Sequence, residues 1–447
     1  MSSGQVEAKL GEVAVRTPAV ARHSDKATAR SVQVDSRLGS NGTDAAAGSE
    51  AGMRSERGRA ILFVAGDISG DQNCGRLAAA IQRLAPDVQL MGAGGPAMRE
   101  AGVEVMIETT DLSFVGFPGP RLIQKHVSTY LRVMERIEAN QPDLVVLVDN
   151  EWTNLVLATL LRRKGVPVLF FFPPQVWLWG RWRLPTIVPL ARRVLSAFRD
   201  EAALYRSAGA DTVWVGHPLC DVVQVNEDPA LALREIGLDP SRPLIVLMPG
   251  SRRNEILGLA APILGAARLL QERDPSLQFA LPLASDSLRS AVERCVRASG
   301  VRDVALYRQR SYAVLSQAKV VLQCSGTATL EAALLGIPAV IAYRCKRIEY
   351  LFARYLIIDV DFIGMPNILL GEMVQPEFFQ KHVDAQHLAD EAWSLLRDQN
   401  RRRAIESRLA RIRDLLGPPG AFHRAAEAVV ELLPDAPEQQ QRLAVGG

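Results

Sequence analysis

From Ala60 onward the chain alternates short, wholly apolar runs with amphipathic stretches, and this alternation restricts the possible folds more than any other feature. Ile61–Ala65, Val88–Met91, Leu144–Val148, Val168–Phe172, Val194–Ala197 and Thr212–Val215 have the length and residue types of strands, with helical patterns at Gly75–Leu84, Leu122–Ala139 and Asn154–Arg163. Strand–helix units repeated in this way build a parallel sheet with helices on both faces. A polar stretch from Asn226 to Arg242, containing Pro229 and Pro240, then breaks the rhythm as an interdomain connection would. The pattern resumes at Leu244, with further strands expected at Phe279–Leu283, Val304–Tyr307, Val320–Gln323 and Ala339–Tyr343. The reading is an α/β chain with two doubly wound domains facing an interdomain cleft and a helical C-terminal segment. Its expected divisions are a disordered extension (1–58), a first domain (59–225), a linker (226–243), a second domain (244–385), C-terminal helices (386–434) and a disordered tail (435–447).

At 447 residues, two cores are the default. Apolar residues make up 48% and charged residues 23%, as in globular proteins, and a net charge of +3 gives no argument for nucleic acid. The first 58 residues are rich in Ala, Gly, Ser and charge and lack an apolar period, so they cannot bury enough surface to fold, and they carry no secretory apolar core. No stretch has the length of a membrane span, because Val166–Trp179 is short and broken by Pro173 and Pro174. The five cysteines are widely spaced and never in a Cys-x-x-Cys pair, which fits a reducing cytoplasm and supports neither a zinc site nor a disulfide frame.

Two junctions in the second half read as phosphate loops. Val320–Gln323 runs through Cys324, Ser325 and Gly326 into a helix start at Thr327, where free amides and the helix dipole attract a diphosphate and Thr327 or Ser325 can cap. Glu331 follows Thr327 by four residues and shares its helix face, within reach of a ribose diol. Leu244–Met248 runs through Pro249 to Gly250, Ser251 and Arg252, and Arg252 is placed either to neutralise a pyrophosphate leaving group or simply as an exposed residue after a tight turn.

The first half offers acids at strand ends. In the segment from Ala65 to Asp71, Ser69 or Asp71 is expected to cap the first helix, and the pair of acids, Asp67 and Asp71, also suits a sugar hydroxyl. Asp149 ends the run Leu144–Val148 and is followed by Asn154; a carboxylate emerging into a cleft can be desolvated toward a general-base pKa, or can cap the next helix. The loop Phe171–Trp179 supplies Trp177 and Trp179 for stacking on sugar or for core packing, and His217 before Pro218 can donate to a phosphate or sugar oxygen.

Taken in order, these segments resemble the lipid-A-disaccharide synthases, metal-independent glycosyltransferases of the two-Rossmann-domain GT-B type. The resemblance covers about Ala60 to Leu432 and runs through Ala65–Asp71, Gly92–Met98, Asp149 with Asn154, Pro174–Trp179, Val215–Leu219, Leu247–Arg252 with Glu255, Ser325–Glu331 and Met365–Leu369. It implies inverting transfer of a sugar from UDP-2,3-diacylglucosamine to 2,3-diacylglucosamine 1-phosphate, giving a β(1→6) disaccharide and UDP, with no metal or other cofactor. Asp149 would deprotonate the acceptor 6-hydroxyl. Gly250, Ser251, Arg252, Glu255, Ser325, Gly326, Thr327, Glu331 and Asn367 would hold the nucleotide sugar, and Ser69, Gly70, Asp71, Asn154, Trp177 and His217 the acceptor or sugar. The same resemblance implies a cytoplasmic enzyme, peripheral at the inner membrane, that can form a homodimer. Two departures stand out: the family's Asp-x-x-Asp-Phe-Asn reads Asp149-Asn-Glu-Trp-Thr-Asn154 here, and its Met-Gly-x-x-Glu-Val-Leu segment reads Val115–Ile123 with two prolines and an arginine. Another UDP-sugar glycolipid transferase, a UDP-N-acetylglucosamine 2-epimerase and a non-catalytic nucleotide-sugar sensor are the competing readings.

Overall fold

A computed structural model describes residues 58–110, 120–149, 151–308, 312–345 and 361–435. Seven strands form the first sheet: β1 (Ala60–Ala65), β2 (Gln89–Gly94), β3 (Glu104–Glu108), β4 (Leu144–Val148), β5 (Val168–Phe171), β6 (Arg193–Ser196) and β7 (Thr212–Trp214). Six form the second: β8 (Leu244–Met248), β9 (Gln278–Leu283), β10 (Val304–Arg308), β11 (Ala318–Cys324), β12 (Ala339–Tyr343) and β13 (Glu377–Phe379). All the described pairings are parallel. Every residue of β1, β4, β5 and β8 is buried, as expected of central strands covered on both faces, and their apolar runs are unbroken. The edge strands β3 and β13 were absent from the sequence reading. Their residues, Glu-Val-Met-Ile-Glu and Glu-Phe-Phe, are half-exposed and give no continuous run. The connection after Asn226 is not wholly irregular either: Asp228 caps a helix over Pro229–Glu235, and Ala232 and Leu233 are buried.

The strand orders are β3-β2-β1-β4-β5-β6-β7 and β10-β9-β8-β11-β12-β13. Each order reverses direction once, between β1 and β4 and between β8 and β11. The connections on either side of such a point leave in opposite directions, and the crevice that opens at the carboxyl ends is where doubly wound sheets take ligands. All four junctions singled out in the sequence, after β1, β4, β8 and β11, stand at these two switch points.

The C-terminal helices join the two halves. Helix Ala385–Arg397 packs on helix Arg253–Arg273 beside the second sheet, whereas helix Ala421–Val430 packs on helix Ile68–Leu84 and contributes Phe422, Ala425, Ala426 and Val429 to the first core. The crossing is pinned where the chain turns. His217 N donates to Leu416 O at 2.8 Å, Arg424 Nε to Val215 O at 2.9 Å, and the amides of Gly420 and Phe422 to the Asp221 carboxylate. Gly417, at φ 93°, lies against the Trp214 ring, where an added Cβ would stand 2.7 Å from it. Trp177, Phe198 and Leu219 belong to the same buried cluster as Met248 and Leu330, so the β6–β7 side of the first sheet is packed directly on the second half. Among the described residues, no helix is long and apolar enough to cross a membrane.

Candidate active site

Asp149 has left-handed backbone (φ 51°), a conformation that costs a non-glycine residue roughly 1–3 kcal/mol unless its surroundings enforce it. Asn154, 2% exposed on the following helix Glu151–Arg163, does the enforcing: its Nδ2 donates to Asp149 O at 2.5 Å and to Val148 O at 3.2 Å. Asn154 therefore shapes the turn through its Nδ2. The Asp149 side chain is exposed, so the desolvation expected of it is not supplied by the protein alone. Glu151 is no substitute acid. It is ion-paired with Arg183, whose guanidinium lies 3.6 Å from the centre of the Trp179 ring, and burial pushes the Glu151 carboxyl above its usual range against the opposing pull of Arg183.

At the end of β1 the cap is neither Ser69 nor Asp71. Asp67 Oδ1 accepts from Gly70 N at 2.7 Å and starts helix Ile68–Leu84, because the helix begins earlier than its apolar period shows. Ser69 is exposed and Gly70 buried. Asp71, 2% exposed, accepts from the amides of Gly95 (2.7 Å), Ala97 (2.9 Å) and Met98 (3.2 Å), so it clamps the loop after β2.

The β8 loop is already occupied by an anion of its own. Glu255 Oε2 accepts from Ser251 N (2.8 Å) and Arg252 N (3.1 Å), and its Oε1 meets Arg252 Nη1 at 3.0 Å. Gly250, at φ 131°, is needed for this approach, since a Cβ there would stand 2.4 Å from the Glu255 Cβ. The β11 loop is open by contrast. Gly326 (φ 152°) and Thr327 are exposed, and no atom lies within 4 Å of where a Gly326 Cβ would be. The expected side-chain caps are not made: Thr327 makes no side-chain cap bond to helix Ala328–Leu334, and Ser325 Oγ donates to Ile363 O at 2.6 Å. Glu331 lies in the first turn of that helix, 6% exposed.

Asn367 is fully buried and saturated. Its Nδ2 donates to Gln375 O (2.6 Å) and Glu377 Oε1 (2.8 Å), and its Oδ1 accepts from Val374 N (2.9 Å) and Gln375 N (2.8 Å). Glu377, which sequence reasoning missed, also accepts from Ile363 N (2.9 Å) and Gly364 N (2.8 Å), holding the segment that receives the Ser325 hydroxyl. His217 packs against Phe172 and Phe198 with ring centres 6.0 and 5.1 Å away. Its Nδ1 accepts from Leu219 N at 3.1 Å and burial pushes its pKa down to about 4, so the ring is neutral with its proton on Nε2. Trp177 is 9% exposed and stacked near Phe198, which makes it a core residue, while Trp182 is 78% exposed.

One contact ties the two switch points together. Arg252 Nη2, at the end of β8, stands 3.9 Å from Asp67 Oδ2, at the end of β1, and its charge lies in the field of Glu255, Asp67 and Asp149. The sequence offered Asp67 only as one of a pair of acids suited to a sugar hydroxyl and not as the cap; the available signal for the cap was an Asp immediately before a helix start.

The lipid-A-disaccharide synthetase family model matches residues 61–429. The chain belongs to the lipid-A-disaccharide synthase family. It is 38% identical over 377 residues to the synthase of Geobacter sulfurreducens, covering 83% of this chain and 97% of that one, and 35% identical over 380 residues to that of Myxococcus xanthus, covering 84% and 97%. Solved structures similar in fold include an S. aureus MnaA–UDP co-structure (TM-score 0.56, 14% identity, covering 83% of this chain and 96% of that one) and a Neisseria meningitidis UDP-GlcNAc 2-epimerase bound to UDP-GlcNAc (0.54, 14%, 83% and 99%). The chain is thus a hexosyltransferase of GT-B fold whose family makes the lipid A disaccharide from lipid-bearing sugars. Of the two departures from the synthase pattern, Trp152 stands in the first turn of helix Glu151–Arg163 with its side chain outside the described residues, and Val115–Gly119 also lies outside them.

Proposed function

We propose that this synthase transfers 2,3-diacylglucosamine from its UDP donor to the 6-hydroxyl of 2,3-diacylglucosamine 1-phosphate by a single inverting displacement. Asp149 takes the proton of the attacking hydroxyl, and Arg252 with the open Gly326–Thr327 turn takes the charge of the departing diphosphate, so that no metal is called on. Glu331 binds the ribose diol. The observation that carries the reading is that Arg252, on the second sheet's switch point, stands 3.9 Å from Asp67 on the first and in the field of Asp149, the carboxylate held there in left-handed backbone. Base and leaving-group stabiliser then approach one anomeric carbon from opposite domains, and closing the cleft orients the sugars and excludes water. The lipid part of the reading is supported by exposed apolar residues on two neighbouring helices of the first domain: Val127 and Leu131 on helix Pro120–Asn140, and Val156 and Leu160 on helix Glu151–Arg163, which follows Asp149 in the chain. Each pair is four residues apart and shares a helix face, suited to a peripheral site on the inner membrane.

The test is UDP release by the purified protein from UDP-2,3-diacylglucosamine with and without the acceptor, with the product mass read directly. Acceptor-dependent release with a tetraacyl disaccharide phosphate is expected. A product epimerised at C2, or UDP binding without turnover on this pair, would overturn the assignment.

A further inference from the structure

The contact between Arg252 and Asp67 is unusual for its place: a cation meant for an anionic ligand faces a carboxylate from the opposite domain. The two carboxylates around it are held differently. Glu255 is in the same turn and is fixed by the amides of Ser251 and Arg252 at 2.8 and 3.1 Å, so it stays when a ligand arrives. Asp67 reaches across from the first sheet, with Oδ1 committed to Gly70 N at 2.7 Å and only Oδ2 turned to the guanidinium, at 3.9 Å. Its side chain is 16% exposed and that of Arg252 is 42% exposed, so at 3.9 Å the pair is long and open to solvent on the Arg252 side. Pairs of this kind are weak and give way to a ligand of higher charge.

We propose that Asp67 is the resident counter-anion of Arg252: it holds the guanidinium across the cleft while the nucleotide site is empty, and the donor's diphosphate displaces it. Asp67 is then a positioning residue that sets how tightly UDP is kept and how readily it leaves, returning to Arg252 as UDP departs. The inference rests on the reading of Arg252 as the diphosphate ligand.

Calorimetric titration of UDP and of uridine into the wild type, Asp67→Asn, Arg252→Ala and the double variant tests it. Asn is as good a helix cap as Asp, so Asp67→Asn removes the charge and keeps the fold; Asp67→Ser is a second cap-preserving variant, and the thermal midpoint checks both. The expected result is UDP affinity raised about two- to fivefold in Asp67→Asn, the scale of an exposed ion pair, with uridine unchanged and the gain absent when Arg252 is Ala. If Arg252→Ala weakens UDP but Asp67→Asn does not tighten it, or tightens uridine equally, the counter-anion role is wrong and the reading of Arg252 stands. If Arg252→Ala leaves UDP affinity unchanged, that reading fails, and the inference with it.

Discussion

The two switch points have the same topology and opposite equipment. At the first, between β1 and β4, the loops present carboxylates, Asp67 and Asp149, one capping a helix and the other held in left-handed backbone by Asn154. At the second, between β8 and β11, they present glycines at positive φ, an open turn at Gly326 and the cation Arg252. The parallel sheet fixes only where loops gather; a few residues just past the strand ends decide whether the crevice attracts a proton or a phosphate. The Arg252–Asp67 contact brings the two sets within reach of each other.

The largest expected effect tests the acidic side. Asp149→Asn keeps the size and turn preference of the residue and should lower turnover about 10²- to 10⁴-fold, the range for losing a general base, while UDP affinity stays within a factor of two. Turnover near the wild-type value would remove Asp149 from the chemistry. Arg252→Ala tests the cationic side and should cost about 10²- to 10³-fold in kcat/KM, as for removal of a donor that stabilises a developing anion. UDP affinity should fall as well, so the two variants separate base from leaving-group site by their binding, not only by their rates.

A pH experiment addresses the seam beside the acidic point. His217 is buried and neutral, its pKa pushed from 6.5 down to about 4, so unfolded chains take up a proton that folded ones refuse. Its contribution to stability is complete above pH 6.5 and is lost as pH falls toward about 4. The loss is roughly 3 kcal/mol if the ring stays neutral throughout. Glu201, whose burial pushes its carboxyl up to about 8, works in the opposite direction over part of that window. The wild type must therefore be compared with His217→Asn, which keeps an acceptor for Leu219 N and removes the titration. The variant should lose stability less steeply between pH 6.5 and 4 in denaturant titrations; identical profiles would show that the His217 ring takes up its proton as readily in the fold as in the unfolded chain.

How much of this was legible follows from what burial does to a sequence. Strands buried on both faces tend to be apolar throughout, so β1, β4 and β8 could be read directly, and β11 from its central Val320–Leu322 run despite Lys319 and Gln323, and with them the positions of the loops that follow. The half-exposed edges β3 and β13 carry no such signature. Roles within a motif were harder. Asp67 and Asp71 lie four residues apart in one turn, and only the chain's path shows that the first caps its own helix while the second holds the loop after β2. Asn367 gives no hint in sequence that its partners are the backbone of Val374 and Gln375 and the side chain of Glu377. Glu255 is the exception, since a Glu three residues past a helix cap commonly reaches back to the cap amide.

The smallest effect bears on why Asp149 faces the cleft at all. If Asn154 only fills space, Asn154→Ala should cost stability and leave the site intact. If it holds the left-handed turn, losing its bonds to Asp149 O and Val148 O frees the peptide to relax toward ordinary backbone, which swings the carboxylate away. The second outcome is expected: about tenfold lower turnover at saturating substrate, with UDP affinity unchanged and a stability loss of about 1 kcal/mol, the usual net worth of such hydrogen bonds. A glycine at the turn itself supplies the contrast. Asp149→Gly with Asn154 intact would accept the same backbone at no cost but carry no carboxylate, so it should be as stable as the wild type or more so, and inactive. Together the two variants separate the conformation of the turn from the charge it displays. Should Asn154→Ala retain full turnover, the acidic switch point would owe its geometry to the sheet alone, and its contrast with the glycine-built second point would be one of charge and not of strain.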